Sequence, residues 1–323
     1  MVMAIRIHET GDPEVLRWEG VEVGRPGPGE ARVRHTAVGL NFIDVYHRKG
    51  LYALPLPAVP GSEAAGVVEE IGAGVTEVKV GDRVAYAGVV GAYSQVRLIR
   101  ADRLVLLPED IEDRAAAAMM LKGMTAQYLL HRTCPVQRGD TVLIHAAAGG
   151  VGLIACQWAK HLGATVIGTI STEEKAAVAR RHGCDHPIVT SREDFVARVK
   201  EITGGRGVRV VYDSVGKDTF EGSLDCLQPM GMMVSCGNSS GPVAPISPLV
   251  LSAKGSLFLT RPTLMTYTAR REDLLATAAA LFEVVHSGAV KVEVHRTYPL
   301  EEAAQAHRDL EARRTTGSSV LLP

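Results

Sequence analysis

The sequence predicts an α/β protein built from two parts, a small β-rich unit and a doubly wound parallel sheet. In the first 120 residues, the stretches 30–38 and 66–86 alternate polar and apolar residues and are interrupted by glycines, which is typical of an all-β unit with tight turns. From about residue 121, apolar runs alternate with helical patterns. Because parallel strands need crossover connections, this alternation predicts a parallel sheet with helices on both faces.

Six strands are predicted for this sheet, from the apolar runs 142–146, 165–170, 187–189, 208–212, 232–236 and 256–260. The spacing of Phe195, Val199 and Ile202 illustrates the helical pattern between them. After residue 261 the pattern predicts a long helix over 272–287, a strand within 290–300, a helix from Glu301 and a closing apolar run over 318–323.

Composition limits the classes of protein to consider. The chain has 323 residues, 46% apolar and 22% charged, and can therefore bury the cores of two domains. Its net charge of −1 provides no general attraction to nucleic acids or acidic membranes. Because no apolar run could span a bilayer and the first residues do not resemble a signal peptide, we expect a soluble, cytoplasmic protein. The five cysteines form no Cys-x-x-Cys motif and are expected to be reduced thiols.

A cluster of small residues follows the first strand of the predicted sheet. Ala147-x-Gly149-x-x-Gly152 matches the glycine fingerprint of dinucleotide-binding loops, with alanine at the first position. A helical pattern begins at Val151, so the free N–H groups of a helix N-terminus would face a diphosphate. The alternative is a tight turn that serves only the packing of the sheet.

No acidic residue ends the second predicted strand, where NAD-binding proteins use a carboxylate to bind the ribose 2′-hydroxyl. Ser171 and Thr172 stand there instead, followed by Lys175. A hydroxyl and an ammonium group can bind a 2′-phosphate that a carboxylate would repel, so the sequence favours NADPH over NADH. Alternatively, Lys175 is a solvated residue of a helix whose first turn carries Glu173 and Glu174.

Several catalytic motifs do not occur in the sequence. There is no His-Glu-x-x-His and no cysteine cluster, and Gly183 interrupts the run from His182 to His186 as a helix cap would. No tyrosine is followed by a lysine four residues later, and there is no Gly-x-Ser-x-Gly elbow. A reductase without these groups suits an acceptor that takes hydride readily and collects its proton from water or a weak donor, such as a quinone or a conjugated enone.

Six segments share their motifs with a known family: GLNFIDVYHRKGLY (39–52), PGSEAAGVV (60–68), GDRVAY (81–86), HAAAGGVGLIACQWAKHLGATVIGT (145–169), VVYDSVG (210–216) and GNSSG (237–241). Together they resemble the zinc-free quinone oxidoreductases of the medium-chain dehydrogenase/reductase superfamily, the ζ-crystallin-like group. Zinc-containing members of that superfamily have a cysteine near the position of Asn41 and a histidine at that of Ser62. The resemblance therefore implies an enzyme that works without zinc.

This resemblance also implies a GroES-like catalytic domain formed by residues 1–125 and 262–323, a Rossmann NADP-binding domain formed by residues 126–261, and a homodimer joined through the Rossmann sheets. Close members have a tyrosine where this chain has Thr190, so we expect a weaker adenosine or phosphate contact there. The positions that match the family's NADPH contacts are Phe42, Ile43, Asp44, Val45, Tyr46, Thr125, Tyr128, Gly149, Gly150, Val151, Gly152, Ser171, Lys175, Thr190, Val215, Cys236, Gly237, Asn238, Ser239, Arg261 and Arg313.

The candidate catalytic residues are Asn41, Tyr46 and Tyr52. A tyrosine offers an apolar face to a flat ring and a hydroxyl donor, and the Asn41 amide could donate to a quinone oxygen. Each has a structural alternative, packing for the tyrosines and turn capping for Asn41. The leading hypothesis is an NADPH-dependent quinone reductase. The alternatives are an enone or alkenal double-bond reductase and a non-catalytic NADPH- or RNA-binding protein, although the balanced charge disfavours nucleic acid.

Overall fold

The computed structural model describes residues 1–323, and its first 128 residues contain seven strands and two helices. They are β1 (Val2–Arg6), β2 (Arg17–Val21), β3 (Glu30–Gly39), α1 (Phe42–Arg48), β4 (Glu63–Ile71), β5 (Arg83–Ala87), β6 (Val96–Arg100), β7 (Val105–Leu106) and α2 (Asp113–Tyr128). The expectation of an all-β N-terminal part is therefore wrong in two places. Asn41 is the N-cap of α1, and α2 is rich in alanine, the residue with the highest helix propensity.

The next part of the chain alternates strands and helices as predicted. A π-helical turn (Leu129–Thr133) precedes β8 (Thr141–Ile144), α3 (Gly150–His161), β9 (Thr165–Ile170), α4 (Glu173–Arg181), β10 (His186–Val189), α5 (Phe195–Ile202), β11 (Val208–Asp213), α6 (Phe220–Asp225), β12 (Leu227–Ser235), α7 (Leu249–Ala253) and β13 (Phe258–Thr260). The six strands are parallel, in the order β10-β9-β8-β11-β12-β13. The predicted doubly wound sheet is confirmed, and its strand order reverses between β8 and β11, where such sheets bind ligands.

The last part contains α8 (Leu264–Tyr267), α9 (Arg271–His286), β14 (Val294–Pro299), α10 (Ala303–Glu311) and β15 (Ser318–Leu322). The predicted long helix is displaced by one residue at each end. The final helix was expected from Glu301, but a 3-10 turn (Leu300–Glu302) occupies that position and α10 follows it.

The chain divides into two compact units. The first contains Met1–Met124, Thr268–Phe282 and Val292–Pro323, and the second contains Thr125–Tyr267 and Glu283–Lys291. The division predicted from the sequence, 1–125 with 262–323 against 126–261, differs because it places residues 125, 262–267 and 283–291 with the first unit.

Each unit has its own sheet and hydrophobic core. In the first unit, β14-β15-β3-β4-β5-β7 form a continuous sheet, β6 pairs with β3, and β1 and β2 pair separately. Its core includes Ile5, Val33 and Val84, whereas the core of the second unit includes Leu143 and Ile167. No helix of the chain is both long and apolar enough to cross a membrane.

Candidate nucleotide and acceptor sites

The glycine loop lies at the carboxyl end of β8. Gly149 is the N-cap of α3, and no side chain hydrogen-bonds to this end of the helix. A Cβ atom on Gly152 would overlap the carbonyl oxygen of Ala146, so only glycine allows the loop to pass this close to the helix. The N–H groups at Gly150 and Val151 therefore begin a helix with no side-chain cap in front of it, which is the arrangement that binds a diphosphate.

Alanine at the first fingerprint position is compatible with this loop. Ala147 is fully buried, and a Cβ on Gly168 of β9 would come within 2.6 Å of its methyl carbon, which is too close. Because Gly168 has no side chain, the methyl group of Ala147 fits at a position where the fingerprint usually has glycine.

Polar groups meet where β9 and β10 end. Thr190 Oγ1 donates to the carbonyl of Ile170 (3.2 Å), and Ser191 Oγ donates to that of Ser171 (3.2 Å). Lys175 is half-buried in the first turn of α4, where its N–H donates to Thr172 Oγ1. Ser171, Thr190 and Lys175 thus belong to one sheet edge, as a 2′-phosphate site requires.

Arg192 is a second cation at this edge that the sequence analysis did not select. It lies three residues after the end of β10, is mostly exposed and forms an ion pair with Glu173 of α4 (3.0 Å). No local sequence signal marked it, because its ion pair with Glu173 joins segments that only the fold brings together.

A buried carboxylate organises the loop after β11. Asp213 is fully buried, and its Oδ1 accepts the N–H groups of Val215 (2.8 Å) and Gly216 (2.9 Å). Its Oδ2 lies 2.8 Å from Thr219 Oγ1 and 2.9 Å from Ser223 Oγ. The conformation of Val215, a predicted cofactor contact, is therefore set by Asp213.

His145 links Ser223, which contacts this carboxylate, to Thr169 of the neighbouring strand β9. It is 1% exposed, with Nδ1 2.8 Å from Thr169 Oγ1 and Nε2 2.9 Å from Ser223 Oγ. Burial lowers the pKa of His145. The sequence analysis missed His145, Asp213 and Ser223. For Asp213 the signal was an acidic residue that directly ends a predicted apolar strand.

The loop after β12 lies against the loop after β11. The N–H groups of Cys236 and Ser239 donate to the carbonyls of Asp213 (2.7 Å) and Ser214 (3.3 Å). A Cβ on Gly237 would overlap the Ser214 carbonyl oxygen, which explains glycine at that position. Burial raises the pKa of the Cys236 thiol to about 12, so it stays protonated at neutral pH.

Arg261 follows β13 and is exposed, and its Nη1 donates to the Ser235 carbonyl (2.7 Å). The fold therefore brings the predicted contacts Val215, Cys236, Gly237, Asn238, Ser239 and Arg261 to the carboxyl ends of three adjacent strands.

Two stacked tyrosines stand at the end of α2 and in α8. The rings of Tyr128 and Tyr267 are 4.5 Å apart and nearly parallel, and the Arg132 guanidinium lies 5.1 Å from the centre of the Tyr267 ring. Burial raises the pKa of Tyr128, and the Thr125 hydroxyl opposes that rise. Thr125 and Tyr128, both predicted cofactor contacts, are thus neighbours, whereas Tyr267 was missed.

In the first unit, Asn41 contacts a buried ion pair. Its Nδ2 donates to Glu63 Oε2 (2.9 Å), which also accepts Lys122 Nζ (2.9 Å). Glu63 is fully buried and Lys122 is 5% exposed. A Cβ on Gly39 would overlap Glu63 Oε2, which explains the glycine that begins the motif 39–52. Asn41 is thus the N-cap of α1, and one of its two amide hydrogens is already engaged by Glu63.

Asp44 lies in the first turn of α1 and is fully buried. Its Oδ2 accepts the N–H of Asn41 (3.0 Å) and the hydroxyl of Tyr93 (3.0 Å). Its Oδ1 and the nearby Ser62 Oγ are buried without a partner at hydrogen-bonding geometry. Burial raises the pKa of Asp44 to about 7, against the opposing effect of Ser62, Tyr93 and Lys122.

Aromatic side chains surround the rest of α1. Tyr46, which is 9% exposed, meets Tyr52 edge-to-face at 5.3 Å, and the ring of Phe42 lies 6.2 Å from Tyr46. Phe42 and Ile43 are half-buried, and Val45 is buried. The structure thus groups Tyr46 and Tyr52 as one aromatic cluster of the first unit.

Arg313 lies elsewhere in the first unit, beyond α10. It has a left-handed backbone (φ 57°) and is exposed.

No group of three or more His, Cys, Asp or Glu side chains in the chain is arranged to hold a metal ion. Gly183, with φ 85°, follows α4 and terminates it, as the sequence suggested.

Comparison with known proteins identifies the relatives of this chain. Residues 27–109 match the alcohol dehydrogenase GroES-like domain, and residues 150–282 match the family model described as zinc-binding dehydrogenase. A quinone oxidoreductase of Pseudomonas aeruginosa is 53% identical, with all of both chains covered, and a 2-haloacrylate reductase of Burkholderia is 53% identical over all of this chain and 99% of its own.

The structure of Escherichia coli quinone oxidoreductase complexed with NADPH matches with a TM-score of 0.98 at 50% identity, covering 99% of this chain and all of the other. A mycobacterial protein complexed with NADPH matches with a TM-score of 0.97 at 47% identity, over 99% of this chain and all of its own. The chain therefore belongs to the quinone oxidoreductase family of the medium-chain dehydrogenase/reductase superfamily.

Proposed function

We propose that the protein is a zinc-independent NADPH:quinone oxidoreductase. The observation that carries this proposal is full-length similarity, at 50–53% identity, to quinone oxidoreductases, of which one is known in complex with NADPH. In the reaction, hydride from NADPH and one proton convert the quinone to a hydroquinone. The role of this chain is to hold the cofactor and to position the acceptor.

A direct test measures NADPH oxidation with 1,4-benzoquinone before and after dialysis against a chelator. We expect turnover that survives chelation, because Asn41 and Ser62 stand where zinc-containing relatives have metal ligands. Activity that disappears on chelation and returns with zinc would contradict the proposal.

The second unit provides groups that fit NADPH. The N-terminus of α3, between Gly149 and Gly152, suits the diphosphate, because no side chain caps it and the glycines leave room for close approach. The loops that contain Val215 and Cys236–Ser239 lie at the same carboxyl edge, where a doubly wound sheet binds its ligand. These residues would hold the diphosphate and the nicotinamide side of the cofactor.

Selectivity for the 2′-phosphate is assigned to Ser171 and Lys175, with a weaker contribution from Thr190. Lys175→Glu replaces an ammonium group with a carboxylate that repels phosphate, so the preference for NADPH over NADH should fall by about tenfold or more. Lys200→Glu, an exposed charge reversal on α5, is the matched control. An unchanged ratio of the two dissociation constants in K175E would remove Lys175 from the site.

The acceptor site is assigned to the aromatic cluster of α1. Tyr46 and Tyr52 meet edge-to-face, and their rings could hold a flat acceptor while a hydroxyl donates to its oxygen. Tyr46→Phe and Tyr52→Phe keep the ring and remove the hydroxyl. The variant that lowers kcat/KM for the quinone without changing the NADPH dissociation constant identifies the tyrosine that positions the acceptor.

Reduction of an activated carbon–carbon double bond is the second candidate function. It is favoured by one specific observation, the 53% identity to a protein named 2-haloacrylate reductase. Both reactions would use the same cofactor site. Parallel assays with a quinone, an alkenal and 2-chloroacrylate decide between them, and a larger kcat/KM for either of the last two would replace the quinone as the preferred acceptor.

We also propose a homodimer joined through the parallel sheets. β13 is an edge strand of the six-stranded sheet, and its Phe258 is 57% exposed. Exposed apolar residues near an unpaired strand edge favour pairing with a second copy. Light scattering on the purified protein should give twice the chain mass of 34.5 kDa, and Phe258→Lys should shift the equilibrium towards monomer.

A further inference from the structure

Two buried tyrosines of the first unit each contact a buried histidine. Tyr86 Oη lies 2.9 Å from His35 Nε2, and Tyr93 Oη lies 3.0 Å from His307 Nε2. Both tyrosines are fully buried, and the histidines are 4% and 0% exposed. The two pairs have the same composition and differ in the direction in which their hydrogen bonds run.

The Tyr86 pair ends at a backbone carbonyl. His35 Nδ1 is 2.7 Å from the Ser94 carbonyl oxygen, which can only accept, so Nδ1 carries the hydrogen. In the neutral ring Nε2 is then the acceptor, and the Tyr86 hydroxyl donates to it. No residue of α1 belongs to this pair.

In the Tyr93 pair the histidine donates to the tyrosine, which is the opposite of the Tyr86 pair. His307 Nδ1 is 3.1 Å from Arg48 Nη1, and a guanidinium group can only donate. Nδ1 is therefore the acceptor, and Nε2–H donates to Tyr93 Oη. The single hydroxyl hydrogen of Tyr93 is left for Asp44 Oδ2, 3.0 Å away.

These bonds join the two ends of α1. Arg48 is its last residue, fully buried, and is held further by the Gly11 carbonyl (3.0 Å) and Glu311 (2.8 Å). Asp44 lies in its first turn and accepts the N–H of Asn41. The path Arg48–His307–Tyr93–Asp44 thus connects the end of α1 to its beginning through two side chains from distant parts of the sequence.

The position of Tyr93 also depends on a glycine. Gly61 has φ 90°, and a Cβ there would overlap the Tyr93 ring. The glycine of the motif 60–68 therefore leaves the space in which Tyr93 reaches Asp44.

We propose that Tyr93 and His307 are positioning residues that hold α1 in the orientation in which Asn41 and Tyr46 meet the acceptor. The inference rests on the proposed function, because it assumes that α1 carries the acceptor site. Neither residue needs to touch the substrate, and both would act through Asp44 and Arg48.

Tyr93→Phe tests this proposal, with Tyr86→Phe as the matched control. Y93F removes the donor to Asp44 and the acceptor for His307, and we expect kcat/KM for the quinone to fall about tenfold. The NADPH dissociation constant should change much less than kcat/KM, because the groups assigned to the diphosphate and the 2′-phosphate lie in the second unit, and only the α1 positions Phe42–Tyr46 would be affected. Y86F loses an equally buried hydroxyl and should keep the wild-type kinetics. Equal kcat/KM values for Y93F and Y86F would overturn the proposal.

The pH profile adds a measurement that a general loss of stability would not change. The ionisable groups that interact with Asp44 are Tyr93, Lys122 and, more weakly, Tyr86, whereas Glu63, Arg48 and His307 lie around Tyr93. Ionisation of Asp44 should change the hydrogen bonds that hold α1, so kcat/KM of the wild type should show a step near pH 7. Loss of the Tyr93 hydrogen bond should raise the pKa of Asp44, and the step should therefore move to higher pH in Y93F. The same profile in Y93F, Y86F and wild type would contradict the positioning role.

Variants of His307 keep the test decisive if Y93F fails to fold. His307→Gln can still accept from Arg48 and donate to Tyr93, whereas His307→Leu can do neither. We expect H307Q to retain more than about a third of the wild-type kcat/KM and H307L to lose about tenfold. Wild-type kinetics in H307L would refute the proposal. If Y46F and Y52F both also have wild-type kcat/KM, the acceptor site itself is misplaced, and that failure is separate from a failure of Tyr93 and His307.

Discussion

The two units each contain a buried aspartate linked to a hydroxyl and a histidine, but the two carboxylates are satisfied to different degrees. Asp213 accepts two N–H groups and has two hydroxyls within 2.9 Å, so both of its oxygens have partners. Asp44 has two donors on Oδ2 and none on Oδ1. A carboxylate with donors on both oxygens fixes a loop, whereas one with a vacant oxygen can hold a proton there.

This difference separates the tasks of the two clusters. The Asp213 cluster shapes a loop at the sheet edge that we assign to the cofactor. The Asp44 cluster fixes the helix that we assign to the acceptor, which gains a proton as well as hydride. Substitutions that change one carboxylate at a time test whether the two clusters differ in this way.

The largest effect is expected from Asp213→Ala. It leaves two buried and two half-buried donors without their acceptor, at about 1–3 kcal/mol for each buried donor before relaxation, so the free energy of unfolding should fall by about 4 kcal/mol. The NADPH dissociation constant should rise at least tenfold, because Asp213 fixes the backbone of Val215. Thermal unfolding and a fluorescence titration measure the two effects. Asp218→Ala, an exposed neighbour in the same loop, is the control, and equal behaviour of D213A and D218A would show that the cluster does not shape the site.

Asp44→Asn should act through pH. The pKa of Asp44 is about 7 in the folded protein, against 3.8 in the unfolded chain. Between these values the folded protein holds a proton that the unfolded chain has released. The contribution of Asp44 to stability is therefore complete below about pH 4 and is lost as pH rises through about 7, with a total change of about 4 kcal/mol.

The amide introduced by D44N cannot titrate, so this variant should lack that part of the pH dependence and should gain stability relative to wild type between about pH 5 and pH 8. Thermal unfolding of both proteins across that range provides the measurement. Parallel curves for the two proteins would mean that Asp44 is ionised in the folded state throughout, and the contrast with Asp213 would disappear.

Local sequence was sufficient for the parts of the molecule that depend on periodicity. The apolar runs predicted six parallel strands, and the fingerprint at Gly149 and Gly152 placed the loop that α3 follows. Both signals lie within a few residues of the structure they describe, because strand alternation and helix capping are local properties.

The buried polar clusters were not predicted, because their partners are brought together only by the fold. Tyr93 and His307 are 214 residues apart, and no spacing rule connects them. Gly61 and Gly39 were visible in the motifs, but the side chains for which they leave space, Tyr93 and Glu63, could be identified only from the structure. The same reason explains why α1 was mistaken for part of an all-β unit, since its seven residues are held by contacts with distant segments as well as by their own capping.

The smallest effects come from the serines beside the two aspartates, and they provide the finest test of the comparison. Ser223 Oγ lies within 2.9 Å of Asp213 Oδ2 and His145 Nε2, so Ser223→Ala should lower the free energy of unfolding by about 1–3 kcal/mol. Ser62 Oγ is buried beside Asp44 without a hydrogen bond of good geometry, although its hydroxyl still lowers the pKa of that carboxyl, so Ser62→Ala should cost less than Ser223→Ala, about 0.5–1 kcal/mol. Both substitutions remove one oxygen atom from a buried serine, and their difference therefore measures hydrogen bonding rather than packing. Equal losses in thermal unfolding at about pH 6 would mean that the Ser62 hydroxyl is bonded in the folded protein, and that Asp44 is as fully satisfied as Asp213.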